Sequence, residues 1–414
     1  PLDTMEAVFA SMLAGNAVFF LDGYSKAIKV SSKGYPNLSV SESTREKVLR
    51  GSKEGFTDAV KTNSALVRKR IRDTRLKVKQ KTLGERSQTV VQILYMEDLV
   101  RPGLVEEIEK RLDSFVIDGV LDSGVLEQMT ESSWLSPFPQ FQTTERPDKC
   151  AAEILNGRIL VLTDHSPVGL LLPAVFNDFL QVSEDYYNRF AIVSLQRLIR
   201  YGAVLMTMLF SGTYLAVTNF HTQVLPTNLI LSFSEARQGV PFPGILEVLL
   251  MELAFEMIRE AGVRMPGPLG GTIGIVGGLI IGQAAVTANL VSPIVVVVVA
   301  VSALSSLAIP TDEFSAPFRL LKFGFIILGG TMGVFGMVLG LYLVVSNLAG
   351  LKSFGIPYLS PFAAQNREGY VGERDSFIRF PLPFLNRRPV YARKEEQIKL
   401  RNRKMEKEEG HVYR

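Results

Sequence analysis

The segment from Gly270 to Pro310 sets the strongest limit on what this chain can fold into. Its only side chains more polar than serine or threonine are Gln283 and Asn289. About 20 apolar residues cross the hydrocarbon of a bilayer as a helix, and no soluble core needs so long an uncharged run. The segment therefore predicts an integral membrane protein with two long apolar stretches separated by Ser292 and Pro293.

Bulk composition hides a mosaic. Across 414 residues, 21% are charged and the mean hydropathy is +0.19, which fits neither an ordinary soluble enzyme nor a chain that is membrane throughout. Residues 1 to about 190 carry charge in every stretch, whereas 201–350 hold the apolar runs, with the boundary near Arg200. The expected fold class is a soluble α/β N-terminal domain of two small subdomains, 1–87 and 88–190, followed by an α-helical polytopic membrane domain, 191–350, and a basic cytoplasmic tail, 351–414. A single cysteine, Cys150, rules out an internal disulfide framework and reads as a buried small residue. The first residue is Pro and no basic, apolar and small-residue leader follows it, which suggests a fragment missing its start.

In the soluble half, Ala17–Leu21 and Ala27–Val30 flank Asp22-Gly23, a β-hairpin pattern. Residues 41–81, highly charged, read as helix with a solvated basic face. Their bases are interspersed with acids, lack interleaved aromatics and leave a net charge of only +4, so nucleic acid is not an expected partner. Strand patterns at Thr89–Tyr95 and Arg158–Asp164, helix patterns at Leu104–Phe115 and Asp148–Leu155, and a strand partner at Val168–Val175 predict an α/β layer. Asp164, His165 and Ser166 contain the residue types of a hydrolase triad, but consecutive turn residues do not form one, because a triad is assembled from separate elements. No nucleophile–base set, metal cluster or phosphate loop is visible, so neither an enzyme, a metal site nor a cofactor is expected.

Charge parses the second half. Arg189, Arg197 and Arg200 precede the first apolar span and the tail beyond Asn366 is crowded with Arg and Lys, so both flanks are expected in the cytoplasm. That demands an even number of crossings. The clear candidates are 201–219, 271–289, 292–310 and 322–348; Leu225–Phe233 and the acidic helix Ile245–Val263 would bring the four to six.

On that acidic helix Glu252, Glu256 and Glu260 recur every four residues and share a face. Two readings stay open: an amphipathic helix with wet acids partly paired to Arg259 and Arg264, or a cation-attracting vestibule of an oligomeric pore. Gly270, Gly274, Gly278 and Gly282 form one glycine stripe, and Gly329, Gly333, Gly336 and Gly340 a second, both suited to close helix packing. The run Val295–Val299 can form an apolar sleeve that gates by dewetting, or can face lipid. The pore or gate candidates are Asn289, Ser292, Val295, Val296, Val299 and Ser302.

Pro241-Phe242-Pro243, Glu247, Met251-Glu252, Phe255-Glu256, Arg259–Gly262, Arg264-Met265-Pro266, Ile273–Gly278, Ile281–Val286 and Val291-Ser292-Pro293 together resemble the A-subunit family of GerA-type spore germinant receptors. The Asp22-Gly23 hairpin, Gly355–Pro361, Arg374-Asp375 and Arg388-Pro389 are similar to that family too, so the resemblance covers essentially the whole chain. It implies a spore inner-membrane protein whose N-terminal domain and tail face the spore core. It also implies partner B and C subunits and assembly, as a pentamer, into a ligand-gated channel for monovalent cations. The long, charged tail after Val390 leaves room for a paralogous branch that amplifies ion release. The alternative is a non-conducting membrane scaffold that organises partner proteins; a secondary transporter is weaker, since no matched pair of broken helices surrounds a midplane charge.

Overall fold

The computed structural model describes residues 50–264, 269–362 and 375–400, the hairpin region 17–30, and scattered positions before residue 50. The hairpin expected around Asp22-Gly23 is present: β1 (Ala17–Phe19) pairs antiparallel with β2 (Ile28–Val30), Ala17 opposite Val30. Gly23 takes the positive φ that its turn requires.

Next come α1 (Val60–Arg70), β3 (Leu76–Leu83), β4 (Thr89–Met96), α2 (Leu104–Leu112), α3 (Ser123–Thr130), β5 (Gln142–Thr144), α4 (Pro147–Leu155), β6 (Ile159–Thr163) and β7 (Gly169–Leu172). Strands β3 to β7 form one antiparallel sheet in the order β3-β4-β6-β7-β5. The three inner strands are largely apolar, broken only by Gln92 in the middle of β4, because both faces are covered. Ile93, Val161, Leu170 and Leu172 point to α2 and α3, whereas Leu94, Leu160, Leu162 and Leu171 point to α1 and α4. Cys150 is buried in the second of these layers.

Two expectations are corrected here. Residues 77–81 are strand, not helix: lysines alternate along β3, an edge strand, where Lys79 and Lys81 reach Glu109 and Asp113 on α2. Alternating lysine suits an exposed edge, and charge density alone had hidden the period of two. Because β3 pairs with β4 along its full length, the sheet also runs across the expected subdomain boundary at 87/88.

The rest of the chain is helical: α5 (Phe190–Phe220), α6 (Thr227–Ala236), α7 (Gly244–Arg264), α8 (Leu269–Thr287), α9 (Pro293–Leu307) and α10 (Asp312–Gly350). By length and composition α5 and α10 are each apolar enough to cross a membrane. The span expected at 322–348 is not one straight helix. Gly333 adopts φ +62°, ψ −145°, a conformation open only to glycine, and the chain reverses there. Gly340 lies against Leu328 and Phe325, and Gly336 against the Leu328 carbonyl, which a continuous helix would hold far apart. Residues 312–332 and 334–350 are thus the two arms of a hairpin. A Cβ at Gly333 would also press on Phe220.

Contacts fix the direction of each pass. Helix α5 runs from the α/β unit to Phe220 beside the crease; α7 starts with Ile245 against Gly330 and returns to Arg259 beside Asp312. Helix α8 lies antiparallel to α7, Gly278 meeting Phe255. Helix α9 runs from Ser292 beside Glu247 to Ser306 beside Arg259. The second arm of α10 ends where Asn347 meets Ser136 of the α/β unit.

An aromatic joint binds the two units. Phe138 packs on Phe318 at 5.4 Å, Phe179 stacks on Phe314 at 4.9 Å, and Tyr358 is buried among them. After α10, β8 (Lys352–Ser353) and β9 (Ile356–Pro357) form a tight hairpin that inserts Phe354 into the α/β core, between Phe141 and the Arg111 guanidinium. The tail is then laid across the α/β unit: Val100 bridges Ala392, and Tyr391 donates to Asp178.

Candidate functional site in the helical bundle

The acidic face of α7 meets a basic face on α10. Glu252 accepts from Lys322 Nζ at 2.6 Å and from Ser211 Oγ at 2.6 Å. One turn on, Glu256 pairs with Arg319 at 2.8 Å, and Arg259 pairs with Asp312 at 2.9 Å. Because α7 and the first arm of α10 are antiparallel, the ascending series 252, 256, 259 meets the descending series 322, 319, 312. Glu260 is exposed and pairs with Arg264 on its own helix. All three vestibule candidates are thus neutralised by a cation, and the innermost, Glu252, is wholly buried.

Glu247, also wholly buried, was named only in passing from sequence. Its carboxylate accepts from the Ser292 backbone N–H at 2.9 Å and from Arg237 at 3.1 Å. It thereby satisfies an orphan donor at the start of α9, where negative charge is favoured by the helix dipole. Lys322 and Arg319 were missed as site residues. Their signal was present: two bases three apart in an apolar helix match two acids four apart on another.

Of the gate candidates, Ser292, Val295, Val299 and Ser302 are buried within the subunit. Val295 and Val299 pack with Leu215, Val248, Met251 and Ile326, and Ser302 donates to the Thr207 carbonyl at 3.4 Å. Val296 is half-buried against Gly282, and Asn289 is exposed with φ +52° in the turn after α8. Five successive valines cover every side of a helix, so their spacing could not select the inward face.

The stripe glycines whose surroundings are described lie against other parts of this chain. Gly278 faces Phe255, Gly282 faces Val296, and Gly329 meets the backbone of Gly212 on α5. Gly336 and Gly340 line the inside of the hairpin. Gly270 and Gly274 belong to α8, but their surroundings lie outside the described residues.

A second ionic cluster sits where α5 leaves the α/β unit. Arg197, wholly buried, pairs with Asp185 at 3.0 Å and with Asp375 of the tail at 2.7 Å, while Arg200 joins Asp185 at 2.9 Å. Tyr186 donates to Asp375 at 2.7 Å. In the remaining sequence motif Asp164 accepts from the Val60 N–H, His165 occupies a left-handed turn and Ser166 donates to Asp122, so the three side chains serve separate local contacts.

An α/β unit clamped to a helical bundle, with a series of interhelical ion pairs whose innermost member, Glu252–Lys322, is buried, and no described group of metal-ligating side chains, defines an α/β-plus-helical-bundle protein with paired charge between its helices. The chain belongs to the Bacillus/Clostridium GerA spore germination protein family, whose profile matches residues 1–391. It is 38% identical to spore germination protein GerLA of Bacillus cereus over 97% of this chain and 81% of that protein. It is 40% identical to spore germination protein A1 of Bacillus subtilis (strain 168), over 92% and 79%. It is also 40% identical to the uncharacterized membrane protein YfkQ of the same organism, over 94% and 76%. Among solved structures, the N-terminal domain of the A subunit of the Bacillus megaterium spore germinant receptor GerK3 is 38% identical, covering 30% of this chain and 97% of that one with a TM-score of 0.25.

Proposed function

We propose that this protein is the membrane-embedded A subunit of a spore germinant receptor. It resides in the spore inner membrane with its α/β unit and tail facing the spore core. Copies of the chain, as a pentamer, would enclose a path for monovalent cations that opens when partner B and C subunits register a nutrient. Six helical passes, α5, α7, α8, α9 and the two arms of α10, fit the even number that basic flanks demand. Direct contact between the tail and the α/β unit supports placing both on the same side of the bilayer.

The observation that carries this reading is the buried Glu252–Lys322 pair. Ionised groups at membrane depth are costly and mark conduction or switching elements. In this reading Val296 and Asn289 are the gate candidates nearest the subunit surface, while Ser292, Val295, Val299 and Ser302 form the wall behind them. A scaffold reading is favoured by a different observation: the described stripe glycines, Gly278, Gly282, Gly329, Gly333, Gly336 and Gly340, find partners inside the chain.

Potassium efflux from liposomes separates the two, comparing wild type with Val296→Ser and Val299→Ser at equal insertion. Constitutive leak through Val296→Ser supports a channel. No leak from either variant, and no conduction by wild type with its partners, supports the scaffold.

A further inference from the structure

The loop between α3 and β5 of the α/β unit touches the bundle and holds the only tryptophan of the chain, Trp134. Trp134 is 84% exposed and Leu135 76%, whereas Ser136 beside them is buried and reaches Asn347 on the last turns of α10 at 3.3 Å. Phe138, two residues further, is locked into the aromatic joint against Phe318. The loop is therefore fixed at its base and presents two adjacent large apolar side chains, Trp134 and Leu135, outward. No acidic or basic residue occurs between Glu131 and Glu145, so no charge on the loop itself opposes contact with an apolar surface.

The surface it adjoins is apolar. Leu343 lies one helical turn before Asn347 on the same face of α10, and Leu343, Tyr342 and Val345 are all exposed. Going down this arm, the outer face thus passes from leucine, valine and tyrosine to an amide, and at that level meets a tryptophan. Lys352 is exposed just past the helix end. An amphipathic indole favours the boundary between headgroups and hydrocarbon, and exposed apolar groups continuous with a lipid-facing surface are suited to it.

We infer that Trp134 and Leu135 insert into the headgroup boundary of the bilayer and anchor the α/β unit to the membrane surface. This rests on the membrane reading above. The loop then sets the height of the α/β unit against the lipid while the aromatic joint sets its orientation against the helices.

Because Trp134 is the only indole of the chain, its fluorescence, excited at the red edge where the twelve tyrosines do not absorb, reports on this loop. The full chain is reconstituted into phosphatidylcholine vesicles, with and without brominated acyl chains, and tested for resistance to alkaline carbonate extraction. Blue-shifted emission, quenching by brominated lipid and shielding from acrylamide are expected; Trp134→Phe/Leu135→Trp should keep lipid quenching. Emission quenched by acrylamide but not by brominated lipid overturns the anchor, placing the loop in water. Quenching by neither also overturns it, placing the loop under protein, for example a second copy. Carbonate release of the chain overturns the membrane reading itself, a result distinct from a retained chain whose indole ignores the lipid.

Discussion

Glu252 and Lys322 are 70 residues apart in sequence and 2.6 Å apart in space, with side-chain exposures of 0% and 4%. Removing one partner of such a pair leaves a buried charge uncompensated, at a cost of about 3–5 kcal/mol, whereas replacing both with apolar groups is often neutral or stabilising. Lys322→Met should therefore melt well below wild type in detergent, and Lys322→Met with Glu252→Leu should regain most of the loss. Equal melting of single and double variants would remove the pair from any structural role.

The crease at Gly333 should tolerate no side chain. A non-glycine residue in that conformation costs on the order of 1–3 kcal/mol, and its Cβ would press on Phe220 as well. Gly333→Ala should lower the melting temperature more than Gly324→Ala, where an added Cβ meets open space. Thermal melting of both variants side by side checks this.

Asp375 ties the tail to α5 through Arg197 and to Tyr186. Asp375→Ala should free the tail, so limited trypsin digestion should cut the Arg387–Lys399 region several-fold faster than in wild type. Glu395→Ala, at an exposed position, should leave the rate unchanged.

Glu127, where α3 approaches the start of α10, gives a pH dependence. Burial, then the nearby charges of Glu313, Glu131 and Asp122, raise its carboxyl from an ordinary 4.5 to about 8. Between those values the folded state holds a proton that the unfolded state has released, so the stability it contributes is complete below 4.5 and is lost as pH rises towards 8. Wild type should lose melting temperature from pH 5 to 8 more steeply than Glu127→Gln, and the variant should be the more stable at pH 8. Parallel profiles would contradict this.

Most of the α/β unit was legible because β4, β6 and β7 combine apolar runs with turn signals, and α4 begins at Pro147 at its first position. Strand β3 was misread because its lysines signal solvent before they signal period. In the bundle, the helices at Tyr201, Gly244, Leu269 and Pro293 could be read from hydropathy, but the reversal at Gly333 could not: a glycine in an apolar run looks the same whether it packs a helix or breaks one. Acid spacing on α7 was visible, yet its meaning depended on where Lys322 and Arg319 arrive after the chain turns, which is a tertiary fact. The inward side of Val295–Val299 was likewise chosen by neighbours and not by sequence.

Phe354 is seated in the α/β core just after the last helix, while Arg197 is fastened to the same unit at the root of the first. The α/β unit thus grips both legs of the bundle at once, like the hinge block of a pair of calipers. Any spreading of α5 from the returning arm of α10 must either strain that block or pull one jaw loose.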